Sequence, residues 1–237
     1  MDHSASQTLA ETEIRITLIR ERFYRDSSQW TKMRECYHPN PLVTLIDISW
    51  YKGDAEGFIL GSQKMANKGQ LAMHTIQPVD IVVNGPKAFA QSVGTISTRF
   101  TREGLDYDLV SHCRLLSRLE CVGVAEEMTG EGLESDSGSS SPSAESINEK
   151  RTSRDGKWKM LSLEIIYLQD NIIPVIPTAI AADGEILKSI AKNRKSYQLL
   201  SWVMQAKGYA INGQLPGVDR PETTRELLER NEEWVST

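Results

Sequence analysis

Four histidines occur in 237 residues. His3 lies in a polar N-terminal tail and His38 directly precedes Pro39, which leaves His74 and His112 as the two most suited to chemistry. His74 interrupts an otherwise apolar, strand-like run, "LAMHTIQPVDIVVNG", from Leu71 to Gly85. An imidazole titrates near pH 6.5, so it takes and returns a proton close to neutrality. A carboxylate on one ring nitrogen fixes the tautomer and leaves the other nitrogen basic. Tyr51, with Trp50 at the exit of the first strand, could donate a hydrogen bond to a carbonyl oxygen as it gains charge. Its alternative is an aromatic core cluster whose hydroxyl reaches water, and Tyr24 carries the same two readings. Glu164, an acid inside "KMLSLEIIYL", is either an outward partner of Arg114 or Arg118 or an inward acid with a raised pKa.

His112 sits in "YDLVSHCRLL". Alternation places Asp108, Val110, His112 and Arg114 on one face of that strand, and Tyr107, Leu109, Ser111, Cys113 and Leu115 on the other. The second set is more apolar and is expected inside, which puts His112 on the outer face, suited to a subunit contact. Trp50, Ser111, His112 and Cys113 complete the candidate substrate-contacting set.

These residues need elements to position them. Leu9, Ile14, Ile16, Leu18, Ile19 and Phe23 predict an amphipathic first helix ending at Tyr24. Asp26, Ser27 and Ser28 are candidate caps for a short second helix carrying Trp30, Met33 and Tyr37, stopped by Pro39. "LVTLIDISWY" predicts a buried strand. "GDAEGFILGSQKMANKG" predicts a helix with Asp54 as N-cap and Gly69 as stop. Three strands follow from about Leu71, Ala88 and Tyr107, joined by turns at Asn84–Lys87 and Thr101–Gly104, and Trp158–Leu168 is a last long strand. The order predicts an α+β architecture, a highly curved antiparallel sheet wrapped around N-terminal helices. Residues 126–155 are Gly-, Ser- and acid-rich and are expected to form a disordered hairpin loop. The expected division is a domain over 8–175 with that loop inserted, then a helical extension over 176–237 that packs on the sheet or on a second subunit. In the extension Pro221 suits a first-turn position.

Composition narrows the function. The chain is 39% apolar and 25% charged with a net charge of −5, so it lacks the basic face of a nucleic-acid binder. No apolar run reaches the roughly 18 residues of a membrane span, and "MDHSASQTLAETEIR" lacks the signature of a signal peptide. Cys36, Cys113 and Cys121 show no CxxC spacing and imply reduced thiols in a cytoplasmic setting. With no phosphate loop, GxSxG elbow, HExxH or third ligand beside His74 and His112, the expected chemistry uses no bound cofactor or metal.

Three blocks resemble a known family. "RDSSQWTKMRECYHPN" is similar to the Asp-x-x-x-Trp-x-x-(Leu/Met) signature of SnoaL-like and scytalone dehydratase-like proteins. "AMHTIQPVDIVVNGPKAFAQS" resembles their next block, and "DGKWKMLSL" the block that opens their final strand. The three keep their order over residues 20–170. The resemblance implies the cone-shaped fold of nuclear transport factor 2. It also implies a catalytic His–Asp dyad, falling here on His74 and Asp26, with the family's tyrosine beside that Asp falling on Arg25. It further implies a lyase or isomerase acting on a small, hydrophobic, carbonyl-bearing polyketide or terpenoid intermediate. A homo-oligomer, dimer or trimer, is expected, with "DIVV" and "LEIIYL" supplying its apolar contacts. Two alternatives stay open: a core histidine with Asp26 as a helix cap, and a non-catalytic binding or interaction module of the same fold.

Overall fold

A computed structural model describes residues 3–123, 156–176 and 184–237. The hairpin loop expected at 126–155 lies outside the described residues. The first helix, α1 (His3–Asp26), leads into α2 (Trp30–Glu35). A short hairpin follows, β1 (Leu45–Ile48) and β2 (Tyr51–Gly53), then α3 (Ala55–Asn67). Three long strands come next: β3 (Ala72–Asn84), β4 (Lys87–Arg102) and β5 (Leu105–Gly123). β6 (Gly156–Met160) and β7 (Ser162–Pro174) complete a seven-stranded sheet ordered β2-β1-β7-β5-β4-β3, with β6 on β5. The chain ends with α4 (Gly184–Ile190), α5 (Gln198–Ala206) and α6 (Pro221–Ser236). This is the α+β arrangement expected from the sequence.

Local chemistry accounts for most boundaries. Asp54 caps α3 by accepting a 2.8 Å hydrogen bond from the Gly57 amide, and Gly69 ends that helix region at φ +71°. Both expected hairpins form. Gly85 (φ +56°) turns β3 into β4, while Glu103 and Gly104 (φ +53° and +77°) turn β4 into β5. Pro221 opens α6 in its first turn, where its missing N–H costs nothing.

The apolar residues Leu9, Ile16, Ile19 and Phe23 of the first helix are exposed, against the face expected for them, and three expected boundaries also need correction. The first strand is not continuous: Ser49 and Trp50 form a turn and the chain folds back as a hairpin. The Ser49 amide donates to the Tyr167 hydroxyl at 3.0 Å, which fixes that turn against the core. The last strand is broken at Leu161, which donates to the Arg118 carbonyl and accepts from the Leu45 amide, letting β1 join β7 in parallel. Asp26 is no helix cap either. It is the last residue of α1, and Gln29 precedes α2 without any side-chain cap.

The core fills the inner face of the sheet, with Ile14 and Leu18 of α1, Met33, Phe58, Leu115, Trp158 and Tyr167 all buried. Gly94 tightens the curvature there: a side chain would put its Cβ 2.7 Å from the Thr75 carbonyl, so only glycine lets β3 approach. The outer face has a second cluster in which Phe89, Leu116 and Ile166 are covered by Leu227 and Val235 of α6. Part of the "LEIIYL" surface is therefore occupied by the chain's own last helix. Glu164 points outward and pairs with Arg230 of α6, whereas Arg118 donates to Asn231 Oδ1 at 2.6 Å.

Candidate active site

The apolar stripe of α1 turns polar at its C-terminal end. Ile14 and Leu18 are buried, and the positions that continue their spacing are Glu21, Arg22 and Arg25. Glu21 and Arg22 are almost wholly buried, at 1% and 4% exposure, and pair with each other. The Tyr37 hydroxyl donates to Glu21 Oε1 at 2.8 Å. Arg22 and Arg25 both sit near the face of Phe58, at 5.6 and 6.0 Å from the ring centre. Burial disfavours the charge of Arg22, but Glu21, with Tyr37 and Asp26, more than offsets it and the guanidinium is held charged. Burial and then the charge of Arg22 bring the Arg25 pKa down to about 10.

The next residue, Asp26, ends α1 and reaches the start of β3. Its Oδ2 accepts the His74 backbone amide at 2.6 Å and its Oδ1 lies 2.7 Å from His74 Nδ1. A carboxylate only accepts, so Nδ1 carries the proton and Nε2 is left as the acceptor. Burial, against the bond from Asp26 and aided by Arg25 and Arg22, lowers the His74 pKa to about 4. Burial alone would raise the Asp26 pKa; its bonds to His74 and the charge of Arg25 hold it below the ordinary carboxylate value. The pair at neutral pH is a neutral imidazole on an ionised carboxylate. Among the described residues Nε2 has no hydrogen-bond partner, and His74 lines a cavity of about 60 Å³.

That cavity has mixed walls. Ile48, Trp50, Phe58, Ile96 and Ile165 are apolar contributors, and Leu200, Met204 and Lys207 come from α5 and its end. The C-terminal extension thus helps to build the cavity. Asp170 of β7 anchors it by accepting the Leu200 amide at 2.7 Å, and the Tyr209 hydroxyl donates to Gln70 at 2.8 Å. Ser111 lines the cavity as well; it is 1% exposed and its buried hydroxyl has no partner among the described residues.

The other candidates lie elsewhere. The Tyr51 hydroxyl donates to the Asp54 carbonyl at 2.9 Å, drawn to the start of α3, and Tyr51 is not in the cavity wall. Tyr24 packs beside Phe23 and under Lys32, also away from the wall. His112 faces outward as alternation predicts, with Nε2 3.5 Å from Asn171 Nδ2, so it cannot touch a ligand held inside. Cys113 points inward but is a core residue whose thiol rests 3.7 Å from the Gly94 carbonyl. Burial pushes its pKa up to about 12, so it is no nucleophile. Sequence reasoning missed Arg22, Phe58 and Lys207, and it noted Arg25 only as a replaced tyrosine. The one signal available for the arginines was their place on the buried stripe of α1.

An open, curved, mostly antiparallel sheet closed by N-terminal helices, with a polar pair in its mouth, defines a nuclear transport factor 2-like fold. This is the fold that the SnoaL-like and scytalone dehydratase-like resemblance implied. No family model matches the chain. It is 25% identical over 213 residues to Pea pathogenicity protein 2 of Fusarium vanettenii, spanning 88% of this chain and 76% of that protein. A PEP2-like protein of the same fungus is 29% identical over 103 residues, 42% of this chain and 43% of the relative. Among solved structures, a protein provisionally named scytalone dehydratase from Novosphingobium aromaticivorans aligns with a TM-score of 0.47 at 11% identity, covering 76% of this chain and 95% of that one. The hexachlorocyclohexane dehydrochlorinase LinA-type3 of Novosphingobium barchaimii aligns with a TM-score of 0.45 at 12% identity, covering 76% and 99%.

Proposed function

We propose that the protein is a lyase or isomerase of the dehydratase or cyclase type, acting by His–Asp general acid–base catalysis on a small, hydrophobic, carbonyl-bearing metabolite of polyketide or terpenoid character. The observation that carries this reading is the doubly hydrogen-bonded Asp26–His74 pair, with the remaining ring nitrogen unpartnered beside a cavity. His74 Nε2 takes a proton from the carbon next to the carbonyl. The C–H electron pair moves toward the carbonyl carbon and negative charge gathers on its oxygen. The unpartnered Ser111 hydroxyl donates to that oxygen, in the role first considered for Tyr51 and Tyr24. Asp26 stabilises the imidazolium that forms. The imidazolium then returns its proton, either to a departing hydroxyl, which leaves as water, or to another carbon, which shifts the double bond. Positioned proton transfer of this kind typically contributes about 10²–10⁴-fold.

The test compares metabolite profiles from a producing cell carrying native protein or His74→Ala. The expected result is loss of one product and accumulation of its carbonyl-bearing precursor. Identical profiles would overturn the reading.

A further inference from the structure

We propose that the substrate of this site carries a carboxylate, seated between Arg25 and Lys207, beside the atoms on which His74 acts. This rests on the reading above for the reaction, but the evidence for an acid is separate.

Among the described residues the cations lining the cavity are Arg22, Arg25 and Lys207, and no Asp or Glu lines it. Their neutralisation is unequal. Arg22 is committed to Glu21. Arg25 has only a distant claim on Asp26, at 3.5 Å, because both Asp26 oxygens already take shorter bonds from His74. The Nε of Arg25 is buried and has no partner among the described residues, and the side chain as a whole is 9% exposed. Lys207 ends α5, and among the described residues no acid pairs with its ammonium. Among the described residues, counting Glu21 and Asp26 behind the wall, three cations are set against two acids, an excess of one positive charge. An unsatisfied buried donor typically costs about 1–3 kcal/mol, and an uncompensated buried charge costs more. Water can satisfy the donor but brings no charge. A monoanion does both, and a planar carboxylate matches the guanidinium fork.

Size points the same way. A cavity of about 60 Å³ suits the small functional end of a metabolite better than its whole body. Lys207 also lines a groove of about 310 Å³, walled by Phe100, Trp202, Val203 and Ala206, with Arg102 packed on the Trp202 ring 4.9 Å from its centre. The apolar body of the acid lies there, with its charged end inward at Lys207.

The test is calorimetric titration of the full chain at pH 7 with phenylacetate and with its neutral isostere phenylacetamide. The acid is expected to bind about tenfold tighter or better, equivalent to about 1.4 kcal/mol. Arg25→Met and Lys207→Met should each remove that preference. Replacing the buried Arg25 risks the fold, so the half-buried Lys207→Met, checked by circular dichroism, is the deciding variant. Equal affinities in the native protein, no binding of phenylacetate in the millimolar range, or an undiminished preference in Lys207→Met would each overturn the inference. His74→Ala separates the two claims. It should keep the preference for the acid while losing the product; a preference without any His74-dependent product would sink the reaction alone.

Discussion

Asp26→Asn is expected to lower formation of the His74-dependent product by about 10⁴-fold while the protein stays folded. The carboxylate accepts two hydrogen bonds, one from the His74 amide and one from its ring. An asparagine has one accepting oxygen and one donating nitrogen. If the oxygen keeps the backbone amide, the NH₂ faces Nδ1 and forces the proton onto Nε2, the wrong tautomer for a base. Asp26→Ala should behave differently. It leaves two donors buried without partners, each at a cost of about 1–3 kcal/mol, so it loses stability as well as product. Product formation and thermal unfolding, measured on both variants, separate the two effects. An Asn variant that keeps most of its product would remove Asp26 from the mechanism.

The largest effect on stability is expected behind the cavity. Arg22→Met leaves Glu21, 1% exposed, without its counter-charge, and Glu21→Leu does the converse to Arg22. Breaking a buried pair from one side typically costs about 3–5 kcal/mol, whereas replacing both members with apolar groups is close to neutral. Each single variant should therefore shift the urea midpoint strongly, and the double variant should be more stable than either. Part of the deficit will remain, because the Tyr37 hydroxyl loses its acceptor on Glu21. Additive losses in the double variant would show that the two charges do not support one another.

These two clusters mark where the sequence was readable and where it was not. β5 was readable: alternation placed Ser111 inward and His112 outward, and burial follows it from Tyr107 to Leu115, beyond which Leu116 of the outer face is covered as well. The hairpin turns were readable because Gly85 and Gly104 supply positive φ where the chain must reverse. The first helix misled. Leu9, Ile16, Ile19 and Phe23 suggested its buried face, yet all four are exposed, while Glu21 and Arg22 are buried. Hydropathy scores a charge as a surface residue, and it cannot register that two charges and a tyrosine hydroxyl satisfy one another. The part played by α5 was also illegible. A helical extension was expected there, but which surface its helices cover depends on anchors distant in sequence, such as Asp170. The Asp26–His74 pairing came from family resemblance, since a separation of 48 residues leaves no local trace.

The central claim is that His74 is a neutral base, protonated on Nδ1 and open at Nε2. A ¹⁵N NMR titration of the imidazole, read alongside stability from pH 8 to 4, tests it most directly. The folded-state pKa, about 4, lies below the ordinary value of about 6.5, so the unfolded chain takes up a proton that the native state refuses. His74 therefore contributes stability in full above about pH 6.5, and this is lost as pH falls toward about 4. The expected spectrum shows a protonated Nδ1 and a bare Nε2 at pH 7, unchanged down to about pH 5. A proton on Nε2 at neutral pH, or a titration centred near 6.5, would contradict the account.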